Sequence, residues 1–141
     1  MKKKNIKIVI IFICLLLLVV AGYALVNEVL PKAPAIDIPD KEDIIMVSVG
    51  VNKDDEFEVK DIDIDKLLTL LGNAKPTREQ SLDDYPTARV FYRFEIKTSE
   101  TEHYYYIYEN STEQVYIEIP YVGVYTAEKE LFSFVLKYFE E

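Results

Sequence analysis

The first 26 residues constrain this chain more than any other part of it. Four lysines precede an uncharged, apolar run from Ile8 to Val26, namely Lys2, Lys3, Lys4 and Lys7. As a helix, the 19 residues of this run span about 28 Å, close to the roughly 30 Å hydrocarbon core of a bilayer. We therefore predict a cytoplasmic basic segment over 1–7 and a transmembrane anchor or signal core over 8–26. The positive-inside bias then sends the rest of the chain outward.

Cleavage of this leader is the alternative to an anchor. Gly22 and Ala24 are small residues spaced like a signal-peptidase site. The apolar run continues to Val26, however, beyond the usual signal core of about 7–15 residues. We favour an uncleaved single-pass anchor and keep secretion after cleavage near Ala24 as the alternative. Cys14, the only cysteine, lies inside the run, so we expect no disulfide in the exported part.

The remainder of the chain is small and acidic. Residues 31–141 hold 12 Lys+Arg and 24 Asp+Glu, a formal charge of −12. That charge disfavours nucleic acid and anionic lipid surfaces as partners, and the length suits one hydrophobic core. Three prolines follow the leader, so we predict an extended tether over 27–42 and one extracytoplasmic domain over 43–141. The prolines are Pro31, Pro34 and Pro39.

Hydrophobic periodicity predicts an α+β domain. A β-branched run over 44–51 and a short one near Phe57 predict a hairpin, and Asp63 is a good N-cap for a helix that ends near Gly72. A polar connection over 73–86 precedes three strands at hairpin spacing, which cover 89–97, 103–109 and 114–119.

The chain closes with a second predicted helix. Thr126 is the predicted cap of a helix from Ala127 to about Phe139, whose apolar stripe packs on the sheet. The predicted order is ββαβββα, an antiparallel sheet of about five strands with two helices after the transmembrane helix.

Two stretches resemble a known family. One runs from Leu67-Leu68 through Leu71-Gly72-Asn73-Ala74-Lys75-Pro76-Thr77-Arg78 to Ser81, Asp83 or Asp84, and Pro86. The other is Tyr116-Ile117-Glu118-Ile119-Pro120-Tyr121-Val122-Gly123-Val124-Tyr125, followed by Glu130-Leu131. Together they resemble a family of small exported or membrane-anchored domains of unknown function from low-GC Gram-positive bacteria. The resemblance covers about 44–139 and implies a surface-exposed binding or regulatory domain. It carries over no catalytic residue.

Chemical motifs are weak in this sequence. The acids at 61, 63 and 65 open like a calcium loop, but the sixth and twelfth positions of that pattern are Lys66 and Gly72. We therefore expect a strand end and a helix cap there. His103 is the only histidine and has no companion for a metal site or a triad. We expect no cofactor, no metal and no catalytic residue.

Tyrosines offer the best candidate binding surface. Tyr104, Tyr106 and Tyr108 share one face of a predicted strand, while Tyr105 and Ile107 share the other. One set should join the core, which leaves a second aromatic face for recognition. Mixed charges in the 73–86 connection add a possible recognition loop. The candidate surface comprises Lys75, Arg78, Tyr85, Phe91, Arg93, Tyr116, Glu118 and Tyr121. The alternatives are aromatic pairing on a covered sheet and a loop that merely links helix to sheet.

These observations favour a membrane-tethered, extracytoplasmic module without enzymatic activity. Its expected partner, besides the membrane that holds 8–26, is an unknown protein, peptide or envelope component. One alternative is a carboxylate-based hydrolase of the cell envelope, which needs two acids in a cleft. Another is a regulatory subunit that pairs with a second membrane protein through the apolar helix.

Overall fold

The computed structural model describes residues 2–54 and 56–139, and it divides the chain into two compact units that meet between Lys32 and Ala33. The first unit is helix α1, Lys2–Val29. Among the described residues, its segment Ile8–Val29 is the one helix long and apolar enough to cross a membrane. Such a helix serves as a membrane anchor or as a signal sequence.

The second unit is an α+β domain, as predicted, but its antiparallel sheet has seven strands rather than about five. Across the sheet the strand order is β2-β1-β4-β5-β6-β7-β3, so a two-residue strand lies at each edge. A short 3-10 turn, Lys41–Asp43, leads into the first strand. In chain order the elements are β1 Ile44–Val51, β2 Phe57–Glu58, α2 Ile64–Gly72, β3 Lys75–Pro76, β4 Tyr92–Thr98, β5 Glu102–Glu109, β6 Val115–Ile119, β7 Gly123–Ala127 and α3 Lys129–Leu136.

The two strands missed by sequence are β3 and β7, which pair with each other. Predicting Thr126 as a helix cap was wrong, because Thr126 lies in β7 and its hydroxyl donates to the carbonyl of Lys75. Helix α3 begins after Glu128 and ends at Leu136, so it is shorter than predicted. The physical reason is pairing: β7 completes a ladder with β6 before the chain can turn into a helix.

The core lies between one face of the sheet and the two helices. Asp63 caps α2, as predicted, and its side chain accepts the backbone N–H of Lys66. The predicted alternation of β5 is also confirmed, because Tyr105 and Ile107 are the residues that enter the core. The sheet contributes Val47, Val49, Phe94, Ile96, Tyr105, Ile107, Val115, Ile117 and Tyr125, and the helices contribute Leu67, Leu70, Leu71, Leu131, Phe134 and Val135.

Residues 33–38, which we call the strap, also pack on this core. The N–H of Ala33 donates to the carbonyl of Thr77 at 2.9 Å, and the Tyr105 hydroxyl donates to the carbonyl of Asp37 at 2.8 Å. Ile36 and Ile38 are partly buried against the core. The compact unit therefore begins at Ala33, inside the stretch that the prolines suggested was a tether, because these alternating apolar side chains gain more by burial than by extension.

Candidate functional site

The sheet face opposite the helices carries three rows of side chains, because cross-strand partners point to the same side. The first row is formed by Tyr108, Tyr116, Thr126 and Lys75. The middle row is formed by Arg93, Tyr106, Glu118 and Val124. The third row is formed by Ser48, Glu95 and Tyr104. The sequence thus brings half of the candidate surface, Lys75, Arg93, Tyr116 and Glu118, to one face.

Residues 77–90, which we call the cover loop, close the middle row. Ser81 Oγ donates to Glu118 Oε1 at 2.8 Å, and both residues are buried. The Tyr85 ring lies 5.7 Å from the Tyr106 ring, between centroids. This loop is therefore a structural cover over part of the sheet, a role beyond the simple link from helix to sheet that was the alternative for 73–86.

The cover loop also determines the state of Glu118. Burial raises the pKa of this carboxyl, while hydrogen bonds from Ser81 and Tyr108 act in the opposite direction. The Tyr108 hydroxyl donates to Glu118 Oε2 at 3.4 Å, and burial of that hydroxyl raises the pKa of Tyr108. Glu118 is thus occupied by contacts that hold the loop on the sheet.

A second polar cluster surrounds Arg93. Its guanidinium lies 3.0 Å from Glu56 Oε2. Burial, followed by a hydrogen bond with Glu56, raises the pKa of Glu95, which is 6 % exposed. Arg93 Nε is buried without a hydrogen-bond partner among the described residues. The Arg93 guanidinium is therefore paired within the domain, and its side chain is largely inaccessible to a ligand.

The open part of this face is a groove beside the cover loop, which we call the tyrosine groove. The rings of Tyr108 and Tyr116 stack along it with centroids 5.6 Å apart and planes 22° apart. The cavity has a volume of about 540 Å³, and its charged lining residues are Glu79, Arg89 and Glu109. Asn110 and Ser111 of the β5–β6 turn add amide and hydroxyl groups at one end. The groove thus offers aromatic stacking, hydrogen bonding and charges of both signs.

Of the eight predicted surface residues, only Tyr116 lines this groove. Phe91 and Glu118 are buried, and Tyr85, which belongs to the cover loop, packs against the Phe91 ring with centroids 6.1 Å apart. Lys75 lines a separate, smaller depression near the start of α3, and Arg78 is half-buried. Tyr121 is 67 % exposed in the β6–β7 turn, where its hydroxyl donates to Asp84 Oδ1 at 2.7 Å.

Sequence reasoning missed several groove residues, notably Arg89, Tyr108 and Asn110. The position of Tyr108 could have been predicted from the sequence. It alternates with Ile107 along β5, and pairing of β5 with β6 in a hairpin places it on the same face as Tyr116. No sequence pattern predicts the position of Arg89, because that position depends on how the cover loop returns to β4. Among the described residues, no group of three or more His, Cys, Asp and Glu side chains is arranged to hold a metal ion.

This fold is an antiparallel sheet with helices on one face and a loop on the other. Residues 32–126 match the model of a family described as a domain of unknown function (DUF5300), and the chain belongs to that family. The match begins at the strap and ends in β7, so both belong to the family domain. No curated protein and no solved structure gives a significant match. The predicted resemblance to a family of unknown function is confirmed, while the bacterial host and the export stay predictions.

Proposed function

We propose that the protein is a membrane-anchored, non-enzymatic binding module whose tyrosine groove receives an extended peptide segment of another envelope protein. In this proposal α1 is an uncleaved anchor, and the domain lies outside the cell. The apolar helix segment Ile8–Val29, with lysines before it, supports the anchor.

The observation that carries the proposal is the stacked pair Tyr108–Tyr116, left open beside the cover loop. The loop buries the neighbouring aromatic residues Phe91 and Tyr106, whereas Tyr108 and Tyr116 are only half-buried and line the groove. Tyrosine rings supply large contact area with few rotatable bonds and a hydroxyl for hydrogen bonding, and they are enriched at binding hot spots. A groove of this kind suits a peptide better than a buried substrate.

The charges favour a basic peptide. Glu79 and Glu109 flank the tyrosines, whereas Arg89 is the one cation among the described residues that line the groove. The formal charge of −12 over residues 31–141 attracts a cationic partner from a distance. Binding should therefore weaken as the salt concentration rises, mainly through a slower association rate.

Photocrosslinking in living cells tests this function. A photoreactive amino acid at Ser111, in the groove lining, should capture a peptide segment of an envelope protein, whereas the same probe at Glu100, in the β4–β5 turn, should not. Tyr116→Ala should reduce the yield at least tenfold, because a hot-spot aromatic residue is worth about 2 kcal/mol or more. The matched control Tyr121→Ala removes an exposed tyrosine outside the groove and should keep the yield.

Two results would contradict the proposal. Equal crosslinking from Ser111 and Glu100 would show that the groove has no partner. A reporter fused after the last residue that is active only in the cytosol would show that the domain lies on the other side of the membrane.

A further inference from the structure

A second cavity lies where the strap crosses the end of the sheet, and we call it the strap cavity. It has a volume of about 440 Å³, within the range of small-molecule sites. His103, Tyr105 and Ile119 lie on the core face of β5 and β6 and form its floor, and the His103 and Tyr105 rings stack 6.4 Å apart. Strap residues Pro34 and Ala35 form one wall. It is separate from the tyrosine groove and shares no lining residue with it.

The lining of the strap cavity is largely apolar. Proline and aliphatic side chains from the strap and from the β6–β7 turn surround this floor, namely Pro34, Ala35, Pro120 and Val122. Val122 is 44 % exposed, so the cavity opens to solvent on that side. An apolar body that enters here removes this surface from water, which is favourable in proportion to the area buried.

Among the described lining residues, the charged groups are the carboxylates of Glu102 and Asp37, and only one of them is free to pair with a ligand. Glu102 is engaged, because its oxygens accept from Lys97 Nζ at 2.8 Å and from the Tyr104 hydroxyl at 3.0 Å. Those hydrogen bonds lower the pKa of Glu102, and the bond from Lys97 has the larger effect. The carboxylate of Asp37 has no hydrogen bond or ion pair among the described residues, since only its backbone carbonyl is used by the strap.

We propose that the strap cavity binds a small organic ammonium ion, with the apolar body over Ile119 and Val122 and the charged head beside Asp37. The unpaired carboxylate gives charge complementarity, and the acidic domain adds a long-range attraction for cations. Because Asp37 and Ala35 belong to the strap, such a ligand contacts both the segment that enters the domain from the leader and the sheet on which that segment lies.

The test compares three probes of matched size that differ in charge: phenylbutylamine, phenylbutanol and phenylbutyrate. The full chain is placed in nanodiscs of phosphatidylcholine, and binding is followed by methyl NMR of Ile119 and Val122, with empty nanodiscs as the blank. We expect the amine to bind about three- to fivefold more tightly than the alcohol, as for an exposed ion pair, and the acid to bind most weakly.

Three substitutions sharpen the test. Asp37→Asn should remove the advantage of the amine while keeping the Tyr105 hydrogen bond, which uses the backbone carbonyl. Ala35→Trp fills the cavity and should weaken all three probes at least tenfold. Ala88→Trp fills the tyrosine groove instead and should leave all three unchanged, which separates this inference from the proposed function.

The inference is overturned by any of three results. The first is no shift of the Ile119 and Val122 methyls with any probe. The second is a phenylbutyrate affinity equal to that of the amine. The third is an advantage of the amine that survives in Asp37→Asn, a variant that keeps the fold and so stays informative even where Ala35→Trp fails to fold.

Discussion

Removing the hydroxyl group from two buried tyrosines of the same core should change the stability of the domain in opposite directions. Tyr125 is 0 % exposed, and its hydroxyl has no hydrogen-bond partner among the described residues. Tyr105 is 1 % exposed, and its hydroxyl donates to the carbonyl of Asp37 in the strap. Tyr125→Phe should therefore stabilise the domain, whereas Tyr105→Phe should destabilise it.

The magnitudes follow from the price of desolvation. An unsatisfied buried polar group destabilises the folded state by about 1–3 kcal/mol, and its removal recovers that free energy. The small cavity left by the missing oxygen destabilises the fold again, by about 24 cal/mol per Å³, so the net gain is smaller. Tyr125→Phe should thus raise the free energy of unfolding by about 1 kcal/mol. Tyr105→Phe loses a hydrogen bond that contributes about 1 kcal/mol and leaves the strap carbonyl without its donor. The two variants should differ by about 2 kcal/mol.

Denaturant unfolding of the full chain in nanodiscs measures this difference. The chain has no tryptophan and 11 tyrosines, so near-ultraviolet circular dichroism of tyrosine reports the loss of tertiary packing. The slope of the transition should stay constant, because neither variant changes the area exposed on unfolding. A Tyr125→Phe variant that is destabilised as much as Tyr105→Phe would show that the Tyr125 hydroxyl has a partner and would refute the reasoning.

Two further predictions concern the strap and the second polar cluster. Gly123 has φ +155°, and a Cβ there would lie 2.5 Å from the Cβ of Ala33, so Gly123→Ala should cost about 1–3 kcal/mol in urea unfolding, whereas the roomier Gly50→Ala should cost less. The raised pKa of Glu95 means that the folded state binds its proton more tightly than the unfolded chain. Glu95 should therefore contribute stability that is fully present below the ordinary pKa of about 4.3 and is lost as pH rises through the raised value. Glu95→Gln should remove this contribution, so that the free energy of unfolding varies less over that pH range. An unchanged pH dependence of stability in the variant would contradict this prediction.

Most of the fold was predictable because the strong local signals agree with the tertiary structure. β1 occupies the predicted 44–51 run, and the alternation along β5 and β6 assigns the correct residues to the core. β3 and β7 were missed for a physical reason. A two-residue strand has no periodicity of its own, and Lys75–Pro76 becomes a strand only because β7 lies beside it.

The candidate site was less predictable, because it depends on the cover loop. Sequence alternation placed Tyr116, Glu118 and Arg93 on one face, and the structure agrees. Alternation could not show that Ser81 would reach Glu118 across 37 residues and close the middle of that face. Nor could it show that Ile36 would pack on the core, since Pro34 and Pro39 on either side of it favour an extended tether.

The short edge strands have a consequence for how copies of this domain meet at high local density. A long bare edge would let neighbouring sheets join and grow into fibrils. Here each edge strand has only two residues, and at one edge Pro76 lacks an N–H while Ala33 already occupies the carbonyl of Thr77. At this edge a second sheet therefore finds few free backbone groups, which disfavours edge-to-edge association of neighbouring copies.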